Sequence, residues 1–183
     1  TTLDLATGAR RELYKHQGEG ARAVHLTQTA AHLGAAAALT YFVLQTGAAV
    51  ARDEVTVTLA GAAAVADLGG AYLARGHQQL DNTVLVDHAV ADCRSAQIFR
   101  GVLDDQAHGI FQGKIAVRRD AQRSAGEQLS RALLLSRRAE VSTKPELEIL
   151  ADDVQCSHGA TIGELDESQI FYLRARGIPL AMA

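Results

Sequence analysis

Three observations predict an all-β chain. Short alternating apolar runs recur along most of the sequence. Glycine and polar clusters separate them, and no amphipathic helical period intervenes before Asp166. Taken in order, the runs are Val24/Leu26, Val55/Val57/Leu59, Val84/Val86, Phe111/Ile115/Val117, Leu133/Leu135 and Leu147/Ile149. Each places its apolar side chains on one face of an extended segment. The intervening residues are mostly polar, as with Thr56, Thr58, Lys114 and Glu148, which is the pattern of half-buried strands. Glu146 and Glu148 mark the solvated face of a strand whose apolar face is Leu147 and Ile149. Only two prolines occur, so few strands are forced to an edge. The last element changes period. Asp166 is placed to cap a short helix and Gln169 to return the bond. Ile170 and Leu173 then share a face, Gly177 ends the helix and Pro179 stops it. The strand pattern fits a sandwich, a barrel or a β-solenoid, and the recurrence is too loose to give a strict repeat.

Composition excludes several classes. The 183 residues suffice for one domain with a sizeable core, and the formal net charge is −3. Nucleic acid and anionic membrane are not expected as partners. The pairs Arg118-Arg119 and Arg137-Arg138 read as solvated surface. Phe, Tyr and Trp make up 4% of the chain, too little for a base-stacking platform. Cys93 and Cys156 form no secreted-type disulfide framework, and Cys93 reads as structural. Ala30 to Val50 is the most apolar stretch but is broken by His32, Gly34, Gln45 and Gly47, so no membrane span is expected. No signal peptide is visible, which points to the cytoplasm. The start at Thr1 rather than Met suggests a piece of a longer protein. There is no GxxxxGK[ST] run, dinucleotide fingerprint, GxSxG elbow or CxxC pair, so neither an ATPase nor a complete cluster site is expected.

The chemistry concentrates in Asp152-Asp153-Val154-Gln155-Cys156-Ser157-His158-Gly159. In an extended chain Cys156 and His158 point the same way and Ser157 the opposite way. A thiol and an imidazole suit zinc, iron or an iron–sulfur cluster, but two ligands do not close a structural metal site. A histidine held by backbone bonds at a strand end, and a cysteine used as a small core residue, fit the same residues. Asp152 and Asp153 face opposite ways unless the chain turns there, and turn capping by one carboxylate is the expected role. His88 lies in Val86-Asp87-His88.

The same region resembles the SufD branch of the SufB/SufD family of iron–sulfur cluster assembly proteins. Phe111-Gln112-Gly113-Lys114-Ile115, Gln128-Leu129, Leu133-Leu134-Leu135-Ser136, Ala139-Glu140 and Thr143 to Ile149 follow the family's order. Gly163 to Glu167 and Phe171 to Ile178 complete it. The likeness is dense from His88 to Ile178 and diffuse before, with departures at Ala132 and at Arg123 to Gly126.

The resemblance implies a right-handed parallel β-helix, with residues 1–163 as its core and residues 164–183 as the start of a C-terminal helical region. It implies a non-catalytic scaffold that pairs with SufB, so that a nascent cluster or iron is held at the shared interface. His158 is the expected ligand, Cys156 is a candidate second ligand or an inert inward-facing residue, and His88 is a further candidate for the same interface. The SufC ATPase would dock on the helical region that is largely missing here, so weak SufC binding is expected. A homodimer is expected in isolation, and reduced flavin enters at the level of the complex. The alternative is a β-helix metal-dependent hydrolase or lyase using His158 with Asp152 or Asp153, which would require convergent acids in a groove.

Overall fold

Alternation of branched aliphatic with polar residues favours extended backbone with one buried face. The chain follows that preference almost throughout. The computed structural model describes residues 1–179 and Met182. Strands β1 (Thr2–Leu5), β3 (Val24–Leu33), β5 (Val50–Leu59), β7 (Gln79–His88), β9 (His108–Val117) and β11 (Glu140–Ile149) form one parallel sheet in that order. Strands β2 (Arg10–Gln17), β4 (Ala38–Gln45), β6 (Val65–Ala74), β8 (Arg94–Leu103), β10 (Ser124–Leu134) and β12 (Val154–Glu164) form the other. The chain alternates between the sheets, so each coil contributes one strand to each, and the fold is the expected parallel β-helix. Partners in register lie between 26 residues apart (Val24 and Val50) and 32 apart (His108 and Glu140). That drift is why the sequence shows recurrence without a strict period.

Corners stack as the strands do. Gly8, Ala36, Asp92 and Arg123 all have left-handed backbone. Their N–H groups donate to the next coil's corner, at Ala35, Ala62, Gln122 and Asp153 respectively. The bond from coil to coil offsets the cost of left-handed φ at non-glycine residues.

The core lies between the sheets. Val55, Val57, Leu59, Val84, Val86, Phe111, Ile115 and Val117 are all at most 2% exposed, on the predicted faces. Two runs point elsewhere. Val24 and Leu26 are 66% and 68% exposed, because the inward positions of β3 are Thr29, Ala31 and Leu33. On β10 the inward residues are Ala132 and Leu134 rather than Leu133. In both cases register with the covering coil, rather than apolarity, chooses the face. The interior also holds more aromatic bulk than the composition suggests, with Tyr41, Tyr72, Phe99 and Phe111 fully buried. Glycine makes the room: Gly101 is the register partner of Tyr72 and Gly70 of Phe99, and a Cβ on either would clash with the ring.

Polar side chains recur through the interior, among them the buried Asn82–Gln45 pair, and two further groups stand out. In the early coils the buried carboxylate of Asp53 accepts from Lys15, Thr27 and Tyr41. Burial, with Asp53 alongside, pushes the Tyr41 hydroxyl far above its ordinary pKa. The second group leads to the last coil.

That coil is open. Among the described residues β11 pairs only with β9, and β12 only with β10. Pro145 stands in β11. Glu140 and Leu150 donate to Ala107 and Val117 at 2.9 Å, so the even-numbered N–H groups of this strand point to β9. Pro145 therefore falls on the free side, where its missing N–H costs no ladder bond.

The chain ends in α1 (Glu167–Ala175). Asp166 is its N-cap, but its carboxylate accepts from the Ser168 N–H (2.8 Å) and hydroxyl (2.6 Å), and the Gln169 side chain returns no bond. Gly177 has φ +86°, and Ile178 N–H reaches Leu173 O, which closes the helix as a Schellman turn. Ile170 and Leu173 are half-buried while Phe171 and Tyr172 are exposed.

Candidate functional site

Register fixes where Cys156 and His158 point. β10 and β12 are paired without a bulge, from Ser124 opposite Val154 to Leu134 opposite Glu164. Ser124, Gln128 and Ser130 are 1–2% exposed and line the interior. Their partners Val154, His158 and Ala160 therefore occupy the same inward face one coil later. Cys156 continues that face above Gly126. It is half-buried and packs with Ile115, Val117, Leu147 and Ala151. Burial pushes its thiol pKa up, so iron would have to displace a proton to take it as thiolate. His158 is exposed, because no strand among the described residues covers β12 on its other side. Its ring has no hydrogen-bond partner among the described residues. It is an inward-facing residue on a strand whose other edge no described strand covers.

Beneath His158 runs a column that sequence reading missed. Gln97 and Gln128 are register partners in β8 and β10, and Gln128 is in turn the partner of His158. Both glutamines are at most 1% exposed. Gln97 Nε2 donates to the Lys114 carbonyl at 3.1 Å, and Gln128 Nε2 donates to Gln97 Oε1 at 2.7 Å. The Gln128 head crosses the interior over Gly113, where a Cβ would collide with it. Gln128 Oε1 is buried and has no partner among the described residues. An orphaned buried acceptor costs about 1–3 kcal/mol, so it is informative where it survives. The available signal was a glutamine at an inward position of β10, thirty residues before a histidine, in a coil of that length.

The other expected residues fall elsewhere. His88 does not face an interface. It closes β7 inside the core at 0% exposure, and its Nε2 shares a 2.8 Å hydrogen bond with Ser95 Oγ. Burial lowers its pKa to about 4, so it is neutral at ordinary pH. Cys93 is fully buried, with its thiol directed at the carbonyls of Gly61 and Ala91 and its pKa raised by burial. Asp152 and Asp153 are exposed in the corner before β12, and neither carboxylate caps the turn. Gln122 does so instead, its side-chain oxygen accepting from the Asp153 N–H at 2.9 Å. Five residues of extended chain, about 16 Å, separate Asp153 from His158. No three His, Cys, Asp or Glu side chains gather in metal-binding distance among the described residues. The hollow bordered by Asp67, Arg94, Glu127 and Cys156 takes in neither His158 nor the two acids. The geometry a metal hydrolase needs is not assembled here, and that alternative is not favoured.

The structure is thus a parallel β-helix whose last coil presents one exposed imidazole and one half-buried thiol from its interior face. The whole chain, residues 1–183, matches the family described as SUF system FeS cluster assembly, SufBD core domain. The chain belongs to that family. It is similar to the iron–sulfur cluster assembly protein SufD of Escherichia coli, at 38% identity over 132 residues, covering 72% of this chain and 31% of the relative. The iron–sulfur cluster assembly SufBD family protein slr0076 of Synechocystis is 32% identical over 176 residues, covering 95% of this chain and 38% of the relative. SufD of Bacillus subtilis is 34% identical over 127 residues, covering 69% and 29%. The chain thus spans about a third of the length of these relatives. No helix among the described residues is long and apolar enough to cross a membrane.

Proposed function

We propose that this chain is the β-helix core of a SufD-like scaffold that pairs with SufB through its last coil, and that His158 holds iron or a nascent cluster at the shared surface. The observation that carries this reading is His158 itself, an inward-facing histidine left exposed at an uncovered coil. A neutral imidazole is a suitable ligand for iron. Two candidate ligands on this side leave the remainder to the partner. The free edges of β11 and β12 offer backbone groups to another chain, and Pro145 sits where it breaks no bond within this one.

On this reading the cluster is cargo and the chain performs no reaction of its own. It works in the cytoplasm, alongside a SufC ATPase that docks beyond α1. In the absence of SufB the same edges support a homodimer. Flavin, as the electron source, belongs to the assembled complex.

The test is anaerobic co-purification of the full-length protein with SufB, wild type against His158→Ala, with iron and sulfide assayed after reconstitution. Equal pairing with loss of cluster in the variant supports His158 as ligand. Unchanged cluster content assigns the site to SufB or Cys156.

A further inference from the structure

Every hydrogen bond in the interior column has a direction, and the direction ends at an open acceptor on Gln128, the register partner of His158. The Lys114 carbonyl can only accept, so the Gln97 amide must present nitrogen to it. That turns Gln97 Oε1 toward the next coil, where Gln128 Nε2 donates to it. Gln128 keeps an acceptor oxygen that is buried and without a partner among the described residues. The next residue in register, about 4.8 Å further along the axis, is His158. Gly113 leaves the space that lets the glutamine head lie across the interior.

We infer that Gln128 is a positioning residue for His158: the two groups are unbonded in this structure, and a turn of the ring toward the interior lets Nδ1–H donate to the open Gln128 Oε1, so that Nε2 carries the lone pair and faces out of the open coil. A histidine that binds metal through one ring nitrogen commonly has the other anchored by an acceptor, which fixes tautomer and ring orientation. Here the anchor is itself held in place by Gln97 and the Lys114 backbone, inside the β-helix. The inference rests on the proposed ligand role of His158 for its purpose, but the tautomer it specifies exists without any cluster.

The experiment uses the full-length protein with histidine selectively 15N-labelled, His158 being assigned by loss of its signal in His158→Ala. Long-range proton–nitrogen correlation reads the tautomer in wild type, in Gln128→Met, which keeps the length and removes the acceptor, and in Gln128→Glu, which keeps an acceptor. The expected result is an Nδ1–H tautomer in wild type, reversion in Gln128→Met to the mixture of an exposed imidazole, and retention in Gln128→Glu. Iron retained by the reconstituted SufB complex is expected to fall about tenfold in Gln128→Met with pairing intact. If wild type and Gln128→Met give the same tautomer signature, the inference is overturned, and His158→Ala still decides the ligand role separately. If the tautomer follows Gln128 but His158→Ala keeps its cluster, the positioning contact stands and the ligand role fails.

Discussion

The middle and last coils both point side chains into the interior but bury them to different extents. Val55, Val57 and Leu59 in β5 are covered by β3 and β7 and are at most 2% exposed. Leu147 in β11 and Cys156 in β12 face the same interior but are only half-buried, and His158 is exposed. A side chain in a solenoid is buried by its own coil's opposite wall and by the coils on either side. Removing one neighbour exposes an interior surface that elsewhere would be core. The last coil therefore presents an interior face that no second described coil covers.

The largest expected effect sharpens that contrast. Leu59→Ala removes a fully buried side chain from a doubly covered coil and is expected to cost about 3–4 kcal/mol in urea unfolding. Leu147→Ala in the open coil is expected to cost about 1 kcal/mol. Equal losses would show that the last coil is as well packed as the middle.

Next in size is a pH effect confined to the covered interior. His88 has a folded pKa near 4, below its ordinary value of 6.5. Above pH 6.5 it is neutral in both states and costs nothing. Between 6.5 and 4 the unfolded chain takes up a proton that the folded chain does not, so stability falls as pH falls through that window. The loss reaches about 3 kcal/mol near pH 4 and then levels off. In His88→Gln this part of the slope is expected to vanish, read by urea midpoints at steps of pH. An unchanged slope would contradict the burial assigned to His88.

Asp53→Asn is expected to cost about 2 kcal/mol, because it weakens one acceptor shared by Lys15, Thr27 and Tyr41. The smallest effect is expected on the outward face of β3. Val24→Thr and Leu26→Gln should each change stability by less than about 0.5 kcal/mol. A loss above 1 kcal/mol at either position would mean that β3 is shifted by one residue.

These predictions follow the line between what was legible in the sequence and what was not. The faces of β5, β7 and β9 were legible because Val55/Val57/Leu59, Val84/Val86 and Phe111/Ile115/Val117 are apolar on the side that the coil buries. Val24 and Leu26 misled because an apolar pair alone does not say which face a neighbour covers. His88 was a candidate for the interface because sequence does not show which histidine has a Ser95 opposite it. Cys156 and His158 were legible as a pair from their spacing. Gln128 was not, since its meaning depends on a register partner thirty residues on and on the small size of Gly113 across the interior. Asp152 and Asp153 illustrate the reverse, two acids that look chemical in sequence and stand apart on an exposed corner. The likeness to SufD supplied the choice of solenoid over sandwich or barrel, which periodicity left open.

The central claim is that the open coil of β11 and β12 is the surface a partner covers. It is tested most directly by amide hydrogen exchange on the full-length protein, alone and with SufB. Slowed exchange concentrated in residues 140–149 and 154–164 on pairing is the predicted result. Unchanged exchange there, with protection appearing on another face of the solenoid, would contradict it.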